Sequence, residues 1–471
     1  MFRLAYKQPL FGTAGDDLIR ISPEGNQYVF GRDGNDTIHA LGTRGGSLIH
    51  GGSGDDLITA EGPSHRIHGG EGKDQFILFS GENIVLDNQG NDGATFIGTG
   101  TDAKIANNKV DLGIGNDYVN AYDQKRMRVN MGEGDDRSRL YSHSGSIWKG
   151  GDGDDELVIF STTGGRYEGG AGNDHFIDWP GDEYSPPSWS EGNTYFGGQG
   201  KDIFELSGSR HTVHGGDDSD WAHGYASNSV LYGESGDDSL NTSTFRSSIY
   251  GGEGNDSLGG TTSMSSFYGG QGNDSIGTGW ALHDYSIGSY MDGGTGDDRL
   301  STAGMDSLMI GGSGNDSLML GGNIYKSGDL NTTMIGGSGS DLYAIGPTVG
   351  KCTIQDDGLA GEVDTLNILT ATYKVGETQF TREEGDLIVT LIDEVNEQHE
   401  VLVEGFFGSP ASRIERFVYG EGEDSFVFTD ADVERMIQAA SAASASTAGE
   451  YEKVSVTGAQ LQELLIGPAI G

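Results

Sequence analysis

The chain has 471 residues, of which 82 are glycine and only 34% are hydrophobic. Twenty-eight basic residues against 72 acidic ones give a net charge of −44, which argues against nucleic acid and anionic membrane surfaces as partners. The single cysteine, Cys352, excludes an internal disulfide framework. Carboxylates at this density repel one another, so we expect cations to be part of the folded state.

The beginning of the chain shows no targeting signal. Residues 1–10 (MFRLAYKQPL) lack the apolar core of a signal peptide, and we assign residues 1–11 to an N-terminal cap. No apolar run along the chain is long enough to span a bilayer as a helix. If the protein leaves the cell, we expect it to use another route.

From residue 12 to residue 343, a six-residue phrase, Gly-Gly-x-Gly-x-Asp, recurs 17 times, ten times in full and seven times in degenerate form. Of the 16 intervals between successive copies, 12 are 18, 19 or 20 residues long. A fixed period of this kind predicts a solenoid in which each period is one coil. The acidic sixth residue is Asp17, Asp36, Asp56, Asp74, Asp92, Asp117, Asp136, Asp155, Asp174, Asp202, Asp220, Asp238, Asp256, Asp274, Asp298, Asp316 and Asp341.

Each copy of the phrase predicts a tight turn, because glycine adopts backbone angles that a side chain forbids. An apolar residue two places after the Asp, as Leu258 after Asp256, predicts a short strand with that side chain inward. The other half of a coil is plain, as in SLGGTTSMSSFY (257–268). We therefore predict an all-β, right-handed parallel β-roll of about 17 coils, with one acidic edge and one edge rich in Ser, Thr and Gly.

Four longer intervals predict loops that leave the roll, and loops of a solenoid often form its binding face. Two of them carry aromatic residues, in DWPGDEYSPPSWSEG (178–192) and TGWALHDYSIG (278–288). The candidate ligand-binding residues are Trp179, Tyr184, Trp189, Trp280, His283 and Tyr285.

The residue before each glycine pair is predicted to point outward. Five successive coils carry an aromatic ring there, and His50 and His68 occupy the same column earlier in the chain. We favour a role in stabilising the strand face, with sugar binding as the alternative. The five rings are Phe196, His214, Tyr232, Tyr250 and Tyr268.

After Asp341 the phrase stops, which divides the chain into a roll (12–349), a β-rich capping domain (350–430) and a C-terminal segment (431–471). Strands are predicted at 364–369, 386–392, 400–407 and 413–420. A helix is predicted from Asp430 to Ala440, with Asp430 or Asp432 as N-cap, followed by a linker at 441–450.

The chemistry of the phrase points to calcium, which takes six to eight oxygen ligands at flexible geometry. A glycine-rich turn directs backbone carbonyls to one point, and the Asp adds a carboxylate. Because two stacked turns face each other, 17 turns offer about sixteen sites shared between neighbouring coils. All 17 sixth-position Asp residues are candidate metal ligands.

The repeats resemble the haemolysin-type calcium-binding repeats, also called RTX repeats, and EGFFGSPASRIERFVYGEG (404–422) resembles the C-terminal region that accompanies them. The resemblance implies calcium-dependent folding and export by a type I secretion system, through an uncleaved signal within residues 430–471. It therefore implies an extracellular protein. Because the repeat is about 18 residues long instead of nine, we predict one row of calcium sites instead of two.

Neither the His-Glu-x-x-His motif of zinc proteases nor the Gly-x-Ser-x-Gly motif of lipases is present. We therefore expect a secreted calcium-binding protein without catalysis, used for adhesion, surface structure or binding of an extracellular polysaccharide or cell surface. The alternatives are a polysaccharide-acting enzyme (a lyase, epimerase or hydrolase) built on the roll, with its site at the 178–192 or 278–288 loop, and a toxin-like RTX effector.

Overall fold

The structure is a computed structural model. It describes residues 8–79, 81–97, 107–179, 189–279, 288–303, 306–321, 331–346, 350–359, 361–369, 378–393, 397–409, 412–419, 426–444 and 454–457. Four candidate ligand-binding residues, Tyr184, Trp280, His283 and Tyr285, lie outside the described residues. The chain divides into two compact units, residues 1–235 and 236–471. Each unit is all-β and built from parallel coils, so the predicted β-roll is confirmed.

One coil shows how the sequence produces the fold. Leu48–Ser53 is a strand of the first sheet, which we call sheet 1, and its last three residues are Gly-Gly-Ser. The acidic turn follows, and Leu57–Ala60 is a strand of the second sheet, sheet 2. Residues 61–65 lead to the next strand of sheet 1, Arg66–Glu71, in which Ile67 pairs with Ile49 in parallel. We call the edge that carries the Asp turns the acidic edge and the opposite edge the plain edge.

The first unit repeats this coil. Its strands of sheet 1 are Leu10–Phe11, Tyr28–Asp33, Leu48–Ser53, Arg66–Glu71, Ile84–Leu86, Lys109–Ile114, Arg128–Glu133, Ile147–Asp152, Arg166–Ala171, Thr194–Gln199, Thr212–Asp217 and Val230–Ser235. Its strands of sheet 2 are Leu18–Arg20, Thr37–Ala40, Leu57–Ala60, Gln75–Leu78, Gly93–Phe96, Tyr118–Tyr122, Arg137–Tyr141, Glu156–Phe160, His175–Trp179, Ser190–Glu191, Ile203–Ser209 and Trp221–Ser227.

The second unit begins with the same arrangement. Its parallel strands of sheet 1 are Ser248–Glu253, Ser266–Gln271, Tyr290–Thr295, Leu308–Ser313, Thr332–Ser338, Lys351–Gln355 and Gln398–Val403. Its parallel strands of sheet 2 are Ser239–Phe245, Ser257–Ser263, Ser275–Gly279, Arg299–Thr302, Ser317–Leu320, Leu342–Ile345, Thr365–Ile368 and Arg416–Tyr419. Parallel pairing thus continues past residue 349, and the capping role of residues 350–430 stays a prediction.

Antiparallel pairing appears only late in the described chain. In sheet 1, Asp386–Ile392 pairs with Gln379–Glu383 and with Gln398–Val403, and Val454–Thr457 pairs with Gln379–Glu383. In sheet 2, Phe426–Thr429 pairs with Arg416–Tyr419.

The core is a narrow stack between the two sheets, because side chains alternate between inside and outside along each strand. Ile49 and Ile58 of one coil are both fully buried. Large and small side chains compensate each other across the core: Trp148 is fully buried, and its Nε1 donates a hydrogen bond of 2.8 Å to the Oγ of Ser138. Few apolar residues per coil suffice because every coil covers the next.

The predicted outward column forms stacked rings. In the first unit, the ring of His214 lies 4.7 Å from that of Phe196 and 5.0 Å from that of Tyr232. In the second unit, Tyr250 and Tyr268 stack at 4.7 Å. These contacts fit the predicted role in stabilising the strand face.

The helix spans Asp430–Ser444. Its N-cap is Thr429, since Asp432 N–H donates to Thr429 Oγ1 at 3.3 Å and Thr429 N–H donates to Asp432 Oδ2 at 3.1 Å. The prediction of an aspartate N-cap was therefore wrong. The helix also runs four residues into the segment predicted as a linker, because its alanines favour helix. Within the described chain, no helix has the length and apolarity needed to cross a membrane.

Candidate metal centre: the acidic edge

The sixth-position Asp residues form a hydrogen-bonded ladder along the acidic edge of each unit. Each Asp immediately precedes a strand of sheet 2, and its backbone N–H donates to Oδ1 of the equivalent Asp in the following coil. Asp36 donates to Asp56 at 2.7 Å, and Asp56 donates to Asp74 at 2.8 Å. The same contact, at 2.7 to 2.9 Å, joins every step from Asp17 to Asp220 and from Asp238 to Asp341.

In 14 of these residues the second carboxylate oxygen is buried and accepts no hydrogen bond, whereas Oδ2 of Asp17 accepts one of 2.9 Å from the Thr13 hydroxyl. Burying such an oxygen without a partner costs free energy, so one is expected in a protein only where a ligand satisfies it. The Oδ2 atoms concerned belong to Asp36, Asp56, Asp74, Asp92, Asp117, Asp136, Asp155, Asp174 and Asp202 in the first unit and to Asp256, Asp274, Asp298, Asp316 and Asp341 in the second.

The glycines of the phrase create the space that these oxygens face. A Cβ on Gly51 would overlap Oδ2 of Asp56 and would lie 2.7 Å from the carbonyl oxygen of Gly69 in the next coil. The first glycine is therefore required because oxygens from two coils converge where its side chain would be. The second glycine, Gly52, has φ +136°, which side chains rarely adopt.

Burial raises the pKa of these carboxyl groups, because the charged form loses its hydration. Burial, together with repulsion from the neighbouring ladder carboxylates, raises the pKa of Asp56 to about 7 and the pKa of Asp155 and Asp202 to about 8. The backbone N–H donor to each carboxylate acts in the opposite direction. A divalent cation at this edge would therefore replace protons as well as neutralise charge.

The fifth residue of the phrase forms a second, exposed ladder that runs the other way. Here the backbone N–H of the later coil donates to the side-chain oxygen of the earlier one, as from Asn173 to Asp154 at 2.7 Å and from Asn315 to Asp297 at 2.7 Å. Either Asn or Asp can serve, since both offer Oδ1 as acceptor. This ladder supports the turn from the solvent side and leaves the inner oxygens for a cation.

The plain edge carries a neutral counterpart of the acidic ladder. In the coils whose sheet 1 strands begin at Tyr28 to Leu308, the residue before the strand is again buried, but it is Ser, Asn, His, Gln, Met or Gly. His65 N–H donates to Asn83 Oδ1 at 2.9 Å, and Asn83 N–H donates to Asn108 Oδ1 at 2.9 Å. Burial lowers the pKa of His65 and brings that of His211 to about 4, which keeps both rings neutral. Neutral groups at this column fit a single row of cations on the other edge.

Two residues extend the acidic ladder beyond the set that the sequence predicted, and a third lies beside it. Asp341 N–H donates to Asp364 Oδ1 at 2.7 Å, and Asp364 N–H donates to Glu415 Oε2 at 2.9 Å. Asp87, at the first position of its turn, adds a carboxylate beside the ladder, with one oxygen within 4.8 Å of oxygens of Asp74 and Asp92. No glycine phrase precedes Asp364, but the pattern Asp-x-apolar in DTL (364–366) was a usable signal.

The two described candidate ligand residues lie in different aromatic groups. Trp179 pairs in register with Phe160, next to the stacked rings of Tyr122, Tyr141 and Phe160. Trp189 instead contacts Tyr225, with ring centroids 5.7 Å apart.

Fold and edge together define a class of protein: a parallel β-roll whose stacked glycine turns present buried carboxylates to cations. The family model of the RTX calcium-binding nonapeptide repeat (4 copies) matches residues 24–42, 39–62, 214–244, 236–263 and 292–323. The chain therefore contains RTX repeats, and these repeats are of the calcium-binding type. No curated protein matches the chain.

The two ladders predict that substitutions of two adjacent aspartates affect calcium binding to different extents. Asp155→Asn removes a carboxylate from the buried ladder and should weaken calcium binding and raise the calcium concentration needed for folding. Asp154→Asn removes the same charge from the exposed ladder, where Asn173 already serves, and should change little. Calcium titration followed by circular dichroism compares the two. Equal effects would contradict the assignment of the inner ladder.

The raised pKa values predict how pH acts on the calcium-free protein. Carboxyl groups with pKa values of about 7 to 8 in the fold, against 3.8 ordinarily, stabilise it below about pH 4, and this stability is lost as pH rises through 7 to 8. Without calcium, the fold should therefore melt at a higher temperature at about pH 5 than at about pH 8. Calcium affinity should rise with pH over the same window. Thermal unfolding that favours about pH 8 without calcium would contradict this.

Proposed function

We propose that the protein is secreted, folds on binding several calcium ions outside the cell, and serves there as a binding, adhesion or surface-structural protein. The observation that carries this proposal is the row of buried carboxylate oxygens that no protein donor reaches. The chain's 28 basic residues cannot neutralise its 72 acidic ones, so most of the carboxylate charge has to be balanced by cations from solution. The sixth-position Asp residues, Asp17 to Asp341, are the proposed ligands.

The location of the protein would control its folding. Calcium is scarce in the cytosol, whereas extracellular modules bind it with dissociation constants of ~10⁻⁴–10⁻³ M. Because the ladder exists only in the folded chain, each ion that binds stabilises the fold by mass action. An unfolded, acidic chain inside the cell suits export by type I secretion machinery, with the signal within residues 430–471.

The direct test is circular dichroism of the purified chain with calcium, with excess chelator, and with magnesium in place of calcium. We expect β-structure with calcium, a largely unfolded spectrum with chelator, and poor rescue by magnesium, because magnesium demands a stricter octahedral geometry. A spectrum that chelator leaves unchanged would contradict the proposal.

The secretion signal is tested separately. In cells with a type I system, removal of residues 458–471 should stop export.

A polysaccharide partner is supported by four aromatic rings in or next to sheet 2, three of them exposed and that of His223 half-buried. We call them the aromatic cluster: Trp189, Trp221, His223 and Tyr225. Trp221 and Tyr225 are 43% exposed, Trp189 is 52% exposed, and Trp221 stacks on His223 at 4.2 Å. Alternation along one strand places Trp221, His223 and Tyr225 on the same outer face. Amphipathic rings of this kind pack against the faces of sugars.

Replacing Trp189 and Trp221 together by alanine should abolish binding in a sugar-array screen, because it removes two of the rings that would pack against the sugar. Both side chains are exposed, so their loss leaves the core intact. Phe11→Ala, which removes a 57% exposed ring from sheet 1, is the matched control and should bind normally. Unchanged binding by the double variant would exclude the aromatic cluster. New reducing or unsaturated ends in the bound sugar would instead favour the second candidate function, a polysaccharide-acting enzyme.

A further inference from the structure

At two places in the fold an aspartate occupies the position of the first glycine of the turn. Asp87 lies opposite Gly69 in the parallel register of sheet 1, since Val85 pairs with Ile67 and Leu86 with His68. Asp356 lies opposite Gly336 in the same way, since Gln355 pairs with Ile335. Only the first replacement falls within a recognisable phrase, DNQGND (87–92).

Each replacement adds a third carboxylate to a step of the ladder that otherwise joins two. Cluster 1 consists of Asp74, Asp87 and Asp92, and cluster 2 consists of Asp341, Asp356 and Asp364. In each cluster, one oxygen of every carboxylate lies within 4.8 Å of the corresponding oxygens of the other two. Both clusters have the same composition: the ladder aspartate of one turn, and the first-position and ladder aspartates of the next.

In cluster 1 all three side chains are buried, with Asp74 0%, Asp92 2% and Asp87 5% exposed. Asp87 is held in place because its Oδ1 accepts hydrogen bonds from the N–H groups of Gly70 at 3.0 Å and Asn88 at 2.8 Å. Its Oδ2 has no donor, and neither has Oδ2 of Asp74 or Asp92. A Cβ on Gly69 would overlap Oδ2 of both Asp74 and Asp87, so these two oxygens face the same small space.

Cluster 2, in the second unit, also places three carboxylates together, but one of its buried oxygens lacks a donor instead of three. Asp341 is 1% exposed, and its Oδ2 has no donor. A hydroxyl lies beside it: Tyr343 donates to Asp356 Oδ1 at 3.2 Å and accepts a hydrogen bond from Gly336 N–H at 2.9 Å. A Cβ on Gly336 would overlap both Asp341 Oδ2 and the Tyr343 hydroxyl, so oxygens from two residues again face one space.

We propose that clusters 1 and 2 are two distinct divalent-cation sites, each with three carboxylate ligands, which take calcium more tightly than the remaining steps of the ladder. Calcium affinity rises with the number of charged ligands, and each cluster offers three carboxylates where an ordinary step of the ladder offers two. The inference rests on the calcium-binding function proposed above and goes beyond it. Neither cluster lies within the segments that match the RTX repeat.

The test is to count bound ions on the full-length chain by equilibrium dialysis with radioactive calcium at buffered free concentrations. Wild-type protein should bind two ions at a free concentration roughly tenfold or more below that which fills the other steps. Asp87→Gly restores the ordinary first glycine, and Asp87→Asn keeps the shape, so each should leave one tight ion. The double variant Asp87→Gly/Asp356→Gly should leave none.

Asp111→Asn is the matched control and should keep two tight ions, because the side chain of Asp111 belongs to neither cluster. The substitution keeps the backbone carbonyl of residue 111, which accepts a hydrogen bond of 2.7 Å from Asp87 N–H. Two tight ions in both Asp87 variants, or a wild-type curve with a single class of site, would overturn the proposal. Both results would still show weaker calcium binding along the ladder. A chain that binds no calcium at any concentration would instead overturn the calcium function itself.

Discussion

The constraint on which the structure depends is the pairing of a backbone N–H with one oxygen of a buried carboxylate in the next coil. This contact fixes the register of neighbouring coils, as between Asp36 and Asp56, and it uses only half of the carboxylate. The other oxygen is buried and accepts no hydrogen bond from the described residues. A fold held together in this way is complete only when cations or protons occupy that space.

The two edges of the roll solve the same structural problem with different chemistry. On both edges, the residue before a strand is buried and takes part in hydrogen bonds between coils. Asp on one edge requires a cation, whereas Asn83 or Ser265 on the other forms its contacts as a neutral group. A repeat of about 18 residues follows from this difference, because the two half-coils need different sequences although their backbones are similar.

The sequence predicted the features that depend on local rules. Glycine spacing gave the coil length, the acidic edge and the column of stacked rings from Phe196 to Tyr232, because each depends on a single position in a fixed period. It did not predict Asp364, Asp356 or Tyr343. A longer loop and the loss of the glycines separate these residues from the repeated phrase, so their positions in the coil were established from the strand pairing. Nor could it predict Asp178, an aspartate at a position that is apolar in neighbouring coils. Its oxygens accept hydrogen bonds from Ser190 and Tyr195 inside the core.

Loss of the phrase does not mean loss of the ladder. Arg32, Asp218 and Glu234 replace glycines and adopt φ values of +89°, +73° and +79°, which cost backbone strain. The turns that contain them still supply or receive the ladder contact, because that contact depends on the sixth residue and its N–H. The glycines govern how much space the oxygens share. A turn with a substituted first glycine, such as that of Asp87, therefore has a changed cation site in an unchanged fold. Variation at this position can adjust the calcium affinity of one coil without changing that of the others.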